Sequence, residues 1–138
     1  MNKTELLQYL PKNKQDTSNI ELLSNIGFPV LNSILSELLF WVTDYNWPVA
    51  KEICLILKKA GEEIIPEIEN ILQEKDDERI FFLINNILPE LDINVQFKLI
   101  KSLKEYEHNT LDPDYKNYAI KYLTKIQINS KRNLYQNI

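Results

Sequence analysis

Residues 34–61 read "ILSELLFWVTDYNWPVAKEICLILKKAG" and contain two apolar segments on either side of a short polar break at residues 44–46. Within each segment the apolar residues recur every three or four positions, which is typical of one buried face of a helix. We therefore expect a helix over residues 29–42, a tight turn, and a second helix that ends near Ala60. Two helices joined by so short a turn pack as an antiparallel pair.

The ends of both predicted helices carry residues that suit those positions. Pro29 and Pro48 fit first turns, where backbone N–H groups have no partner inside the helix. Asn46 is expected to cap the second helix, and Gly61 to supply the residue just after its C-terminus. Asp44 and Asn46 together are expected to satisfy backbone N–H groups of the turn.

The same pattern returns further along the chain. A shift of 34 residues aligns Gly27 with Gly61, Val30 with Ile64, Ile34 with Ile68, Leu38 with Leu72, Trp47 with Phe81, Val49 with Leu83, Ile53 with Ile87 and Leu57 with Leu91. The second unit predicts a helix over residues 65–74, a cap at Asp76 or Asp77, and a helix end at Pro89. A recurring helix pair indicates a repeat architecture in which neighbouring units share one core.

The flanks of these two units look like partial units. Asp112 and Pro113 are expected to begin a last helix that ends near Ile126. The sequence therefore predicts one domain over residues 1–127 and a polar C-terminal tail over residues 128–138.

Trp47 allows two interpretations. It aligns with Phe81 in the second unit, and a recurring large apolar residue is typical of packing, which places Trp47 at the corner where two helices meet. The alternative is a ligand site around the polar break, with Tyr45 as its exposed aromatic anchor.

The fold class follows from these patterns and from two resemblances. Helix pairs with an Asp-containing turn, as in residues 34–61, resemble HEAT-type repeats. A closer resemblance, over residues 6–90, is to the uncharacterised bacterial domain-of-unknown-function family 5071. It rests on "LPKNKQD", "IGFPV", "DYNWPVA" and "IPEI", and above all on the string formed by Asp44, Tyr45, Asn46, Trp47 and Pro48. The resemblances imply an all-α, short HEAT-like α-solenoid of antiparallel helix pairs, and no established activity.

Composition agrees with a helical domain. Hydrophobic residues make up 44% of the 138 residues, which is enough for a core, and only 2 glycines are present, which disfavours hairpins. The charge is uneven, because residues 51–90 contain ten acidic and five basic side chains, whereas residues 91–138 contain five acidic and eight basic ones.

Catalytic and metal-binding patterns are missing from the sequence. His108 is the only histidine and lies in a predicted loop, and Cys54 is the only cysteine and lies among apolar residues of a predicted helix. Zinc sites and nucleophilic triads need more of these residues. Gly27 and Gly61 stand alone and form no phosphate-binding loop. We expect no enzyme activity, no metal and no cofactor.

The first functional hypothesis is a non-enzymatic protein-interaction module, of an immunity or scaffold type. The acidic middle of the chain would attract a basic protein partner, and Tyr45, Glu67, Asp77 and Glu78 are the candidate binding residues. No apolar run of membrane-spanning length or secretory type occurs, so we expect a cytoplasmic protein that spans no membrane.

The alternative hypothesis is a nucleic-acid-binding domain. Its candidate surface is a lysine-rich C-terminal face made of Lys98, Lys101, Lys104, Lys121 and Lys125, with Tyr115, Tyr118 and Tyr122 nearby. Lysines can contact phosphates and aromatic rings can stack on bases. The net charge of −4 argues against strong attraction to nucleic acid.

Overall fold

The structure is a computed structural model that describes residues 1–136, with the side chains of all of these except residues 130 and 132–136. This part of the chain contains helices and no strand, which confirms the all-α prediction. The helices are α1 (Lys3–Leu7), α2 (Ile20–Ile26), α3 (Leu35–Phe40), α4 (Pro48–Leu57), α5 (Ile65–Glu74), α6 (Asp77–Phe82), α7 (Ile93–Lys98), α8 (Ile100–Asn109) and α9 (Pro113–Gln136).

Shorter helical turns extend several of these helices. The 3-10 segments Val30–Ile34 and Glu62–Ile64 lead into α3 and α5. After α6 the chain continues through a π-helical turn, Leu83–Ile87, and a 3-10 turn, Leu88–Glu90. The predicted helix over residues 29–42 is therefore present, but as a 3-10 segment followed by a short α-helix.

The helices contact one another largely in chain order. On one side α2 packs against α4, α4 packs against the Leu83–Ile87 turn, and α9 packs against that turn and α6. On the other side α1 packs against the Val30–Ile34 segment and α5 packs against α8. The two sides are joined by three helix pairs, α3 with α4, α5 with α6, and α8 with α9. The second helix of each pair therefore lies next to the second helix of the following pair.

The 34-residue alignment identifies core positions correctly. Six of its aligned pairs place side chains in matching environments: Ile34 and Ile68, Leu38 and Leu72, Val49 and Leu83, Ile53 and Ile87, and Leu57 and Leu91 are all buried, while Trp47 and Phe81 are both half-buried. Val30 differs, since it is 40% exposed whereas Ile64 is fully buried.

The N-terminus of α4 differs from the prediction that Asn46 caps this helix. Pro48 is the first helical residue, as predicted, but the N-cap position is occupied by Trp47 and no side chain caps the helix. Asn46 is therefore not the cap, because the helix begins one residue later than its side chain would require. The Asp44 carboxylate accepts a hydrogen bond from the Asn46 backbone N–H at 2.9 Å, so Asp44 stabilises the turn as expected.

The role predicted for Gly61 is also wrong. Its φ of −90° lies outside the left-handed region, and α4 ends earlier, at Leu57. The Ala60 N–H donates to the Leu57 carbonyl at 2.9 Å, so a 3-10 turn closes the helix before the glycine is reached. By contrast Gly27, after α2, has a φ of 66°, a conformation that favours glycine.

Several later boundaries agree with prediction. Helix α5 spans Ile65–Glu74, and Asp76 caps α6 by accepting from the Arg79 N–H at 3.2 Å. Asp112 accepts from the Asp114 N–H at 2.9 Å, and α9 begins at Pro113.

The last helix is longer than predicted. It continues ten residues past Ile126, to Gln136, and no glycine or proline interrupts it after Pro113. Most of the predicted tail over residues 128–138 is therefore helical, and residues 137–138 lie outside the described part of the chain.

Trp47 lies in an aromatic cluster with Phe40 and Trp41. Its ring centroid is 6.1 Å from each of the other two, and Phe40 and Trp41 are 5.4 Å apart, all in edge-to-face arrangements. The predicted packing role is supported, although Trp47 is half-buried and Phe40 is 52% exposed. Tyr45 is not the exposed member of this region, because it packs half-buried against the core.

We predict that Trp47→Ala lowers the free energy of unfolding by about 2–4 kcal/mol, because it removes a large aromatic side chain from the contact between α3 and α4. Phe40→Ala is the matched control, since Phe40 belongs to the same cluster but faces solvent, and it should cost about 1 kcal/mol or less. Urea unfolding followed by circular dichroism measures both. Equal losses for the two variants would contradict the packing role of Trp47.

Candidate interaction surfaces

Asp77, one of the predicted binding residues, is engaged inside the molecule. It lies in the first turn of α6, where its Oδ1 accepts a hydrogen bond from the Tyr106 hydroxyl at 2.7 Å and one from the Thr110 hydroxyl at 3.3 Å. Burial and the hydrogen bond to Asp77 raise the pKa of Tyr106 above its usual range, so this hydroxyl keeps its proton. Asp77 therefore ties α6 to the end of α8.

Other acidic side chains of the middle segment make similar contacts. Glu69 accepts from the Ser102 hydroxyl at 2.7 Å across the contact between α5 and α8. Glu74 pairs with Arg79 at 2.9 Å, and Glu62 pairs with Lys98. Four carboxylates of the acidic segment are thus used to attach neighbouring helices, which reduces what the segment offers to a basic partner.

Glu67 and Glu78 differ from their acidic neighbours. Glu78 is exposed and Glu67 is half-buried, and neither forms an ion pair or a side-chain hydrogen bond within the described residues. They remain predicted binding residues for a basic partner, together with the half-buried Tyr45, whose ring lies 5.9 Å from the Lys51 ammonium.

A cleft of about 400 Å³ lies between α5 and α8. Glu69 and Asp77 line it together with the hydroxyls that they accept from, and Leu111 stands at its edge, 95% exposed. Both carboxylates already accept hydrogen bonds from residues of α8 and its C-terminal end, so they contribute to the packing of the helices around the cleft.

The five lysines of the predicted basic face differ in their surroundings. Lys98 is paired with Glu62. Lys101 and Lys104 line a shallow depression beside His108 on α8, and Lys121 and Lys125 line a groove along α9. A further depression between α8 and α9 places Lys104 beside Ile120 and Thr124, which also line that groove.

The three tyrosines of α9 are used in helix packing. The Tyr118 ring lies edge-on to Phe81 at 4.7 Å, and the Tyr115 ring lies edge-on to Phe81 at 6.2 Å. Tyr122 is buried. Stacking on bases requires an accessible ring face, which the buried Tyr122 lacks, whereas Tyr118 is 38% exposed.

An open groove with a largely apolar lining is bounded by α7, α9 and the Leu83–Ile87 turn, and we call it the α7–α9 groove. Its volume is about 920 Å³. Its apolar lining consists of Ile84, Ile93, Tyr118, Ile120, Ile126 and Ile128. Of the eleven exposed large apolar side chains among the described residues, four lie here: Ile93 at 36%, Tyr118 at 38%, Ile120 at 40% and Ile128 at 47%.

The floor of the groove is a buried polar network. Gln96 is 4% exposed, and its amide nitrogen donates to the Leu91 carbonyl at 2.7 Å while its oxygen accepts from the Tyr122 hydroxyl at 2.6 Å. A satisfied buried network of this kind has one favourable arrangement, because any shift leaves a polar group unpaired. It therefore fixes the position of α7 relative to α9.

Sequence reasoning missed this groove, although α9 carries a signal for it. The buried face of α9 is formed by Ala119, Tyr122, Leu123 and Ile126. Ile120 and Ile128 lie outside that face, so the helix carries more apolar residues than its core contacts require.

A protein-family model matches most of this chain. A model described as "Domain of unknown function (DUF5071)" matches residues 9–121. The chain belongs to the DUF5071 family. No curated protein matches it significantly.

The DUF5071 match covers the chain from before α2 to Lys121 in α9. It includes the Asp44–Pro48 string, the Gln96 side chain and the first part of the α7–α9 groove, through Lys121. Lys125 and Ile128, at the far end of the groove, follow the matched region. The family description states no activity, so the function has to be argued from the surfaces.

Cys54 and His108 are the single cysteine and the single histidine of this DUF5071 chain, and they lie in different surroundings. Burial raises the pKa of the Cys54 thiol to about 12, which keeps it protonated and unreactive at neutral pH. His108 is exposed on α8. Within the described residues no three His, Cys, Asp or Glu side chains are grouped to hold a metal ion. Among the helices of residues 1–136, none has the length and hydropathy to cross a membrane.

We predict that the unfolding free energy falls as pH rises above about 10, the ordinary pKa of tyrosine. Burial raises the pKa of Tyr122 in the folded protein, so the unfolded chain loses this proton first and stability decreases with pH. Tyr122→Phe should flatten this decline by up to ~1.4 kcal/mol per pH unit. It should also cost about 1–3 kcal/mol at pH 7, because the Gln96 oxygen loses its donor.

Urea titrations at pH 7 to pH 11 measure both effects in the wild type and in Tyr122→Phe. The Gln96→Leu, Tyr122→Phe double variant is the control for the hydrogen bond, since removing both partners should cost less at pH 7 than the two single losses together. An identical pH dependence in wild type and Tyr122→Phe would show that the network is not closed in the folded protein.

Proposed function

We propose that the protein is a non-enzymatic protein-interaction module whose binding site is the α7–α9 groove. The observation that carries the proposal is the concentration of four exposed apolar side chains in one groove. Contiguous apolar surface exposed by a folded domain is typical of a protein-binding site, because its exposure to water is unfavourable unless a partner covers it.

The arrangement of the helices supports a HEAT-like solenoid as the scaffold for this site. Successive helix pairs contact each other in chain order and share one core, as repeat units do. Solenoids present extended grooves to their partners, and an immunity-type protein or a scaffold protein acts through such a surface without chemistry of its own. The single cysteine, Cys54, is buried, which fits a cytoplasmic location.

The nucleic-acid hypothesis receives less support from the geometry. The lysines are divided between an ion pair, a depression on α8 and the groove on α9, and the tyrosines pack against Phe81 or are buried. A nucleic-acid site needs a continuous positive track with accessible rings.

We predict that the double variant Ile93→Glu, Ile128→Glu folds but no longer binds its protein partner. Both residues are partly exposed, so the fold should tolerate the change, while two carboxylates in the groove oppose burial by a partner. The matched control is Val30→Glu, Leu55→Glu, which adds the same charge at residues 40% and 57% exposed and outside the groove.

Affinity capture from a lysate of the source organism, followed by mass spectrometry, compares the three proteins. A partner retained by the wild type and the control but lost from the groove variant is the expected result. The same set of proteins on all three would place the binding surface elsewhere on the molecule.

We predict no binding to DNA or RNA tighter than ~10⁻⁵ M at physiological salt, the range of weak non-specific contact. Fluorescence anisotropy with labelled duplex and single strands at two salt concentrations tests this. Sub-micromolar binding that is lost in the variant Lys101→Glu, Lys121→Glu would favour the nucleic-acid hypothesis instead.

A further inference from the structure

The charged side chains that line the α7–α9 groove are both lysines. No aspartate or glutamate lines it, whereas Lys121 and Lys125 lie along its edge, one turn apart on α9 and both exposed. Within the described residues neither lysine forms an ion pair. The groove therefore differs from the molecule as a whole, whose net charge is −4.

The length of the groove fits a short helix. Its lining residues on α9 extend from Tyr118 to Asn129, and the eleven steps between these two residues at 1.5 Å each give about 16 Å, or three helical turns. The apolar walls come from two helices, with Ile93 on α7 and Ile128 on α9. An amphipathic helix laid in such a groove places its apolar face on the walls and its polar flanks at the edge.

We propose that the α7–α9 groove receives an acidic amphipathic helix of about three turns from a partner protein. Lys121 and Lys125 pair with acidic residues on the flank of that helix, and the isoleucines receive its apolar face. This inference rests on the proposed function and specifies the chemistry of the partner at the same site.

Charge complementarity selects this occupant over the others. A basic helix would bring its cations toward two lysines with no carboxylate in the groove to offset the repulsion. A nucleic acid would use the lysines but would leave the exposed isoleucines facing its phosphates, which is unfavourable. An acidic amphipathic helix uses both the charge and the apolar walls.

The test is selection from a displayed peptide library. The library consists of amphipathic helices of about three turns with leucine fixed along one face and the flanking positions randomised over acidic, basic and neutral residues. It is selected in parallel on the wild type, on Lys121→Glu, Lys125→Glu, and on the control Lys101→Glu, Lys104→Glu, whose lysines lie outside the groove.

The expected result is enrichment of Asp and Glu at the flanks on the wild type and on the control, and of Lys and Arg on the Lys121→Glu, Lys125→Glu variant. A synthetic peptide of the enriched acidic sequence should bind that variant roughly tenfold more weakly than the wild type, in line with the coupling of a few partly exposed charge pairs.

Other outcomes overturn the inference in distinguishable ways. Enriched peptides without charge preference that are lost on Ile93→Glu, Ile128→Glu would leave the groove as the site but refute an acidic partner. Enriched peptides that bind the Ile93→Glu, Ile128→Glu variant as well as the wild type would refute the groove as the binding site. The absence of any enriched peptide would refute it too. Analytical ultracentrifugation of the wild type completes the test, since a dimer broken by Ile93→Glu, Ile128→Glu would identify a second copy of the chain as the occupant.

Discussion

The shared apolar core is the constraint on which the structure depends, because almost none of its helices could persist alone. Helices α1 to α8 are five to ten residues long. Isolated helices of this length are unstable in water, since the entropy of nucleation exceeds what a few backbone hydrogen bonds return. Fully buried residues such as Ile34, Ile53 and Ile68 supply the missing stabilisation by packing neighbouring pairs against one another.

Within that core a single polar arrangement sets the geometry of the candidate site. Gln96 is the only polar side chain in the buried set of the described residues, and both ends of its amide are satisfied, by Leu91 and by Tyr122. Apolar contacts tolerate small displacements, but a buried amide does not, because losing one partner exposes the full cost of desolvation. The Gln96 network thus fixes how α7 and α9 meet, and isoleucines of both helices line the groove between them.

Much of the fold could be predicted from local patterns, and the exceptions have physical causes. The boundaries of α5, the cap at Asp76 and the start of α9 at Pro113 depend on residues close in sequence, so they were predictable. The burial of Gln96 depends on Tyr122, which lies 26 residues later, and no local pattern contains that information. The groove likewise joins Ile93 to Ile128 across two helices, although the surplus apolar residues of α9 were visible in the sequence.

Contacts within the fold engage part of the uneven charge of the chain. The acidic middle segment and the basic C-terminal segment look like two binding surfaces, yet the structure joins them: Glu62 pairs with Lys98, and Glu69 and Asp77 accept from hydroxyls of the following helices. Carboxylates that hold helices together are poorly available to a partner, because binding would have to break those contacts. Lys121 and Lys125 lie beyond the reach of these acids in the described structure and stand beside exposed apolar surface. Unneutralised charge next to uncovered apolar area is the combination from which specific protein interfaces are built, since the apolar part contributes affinity and the charge selects the partner.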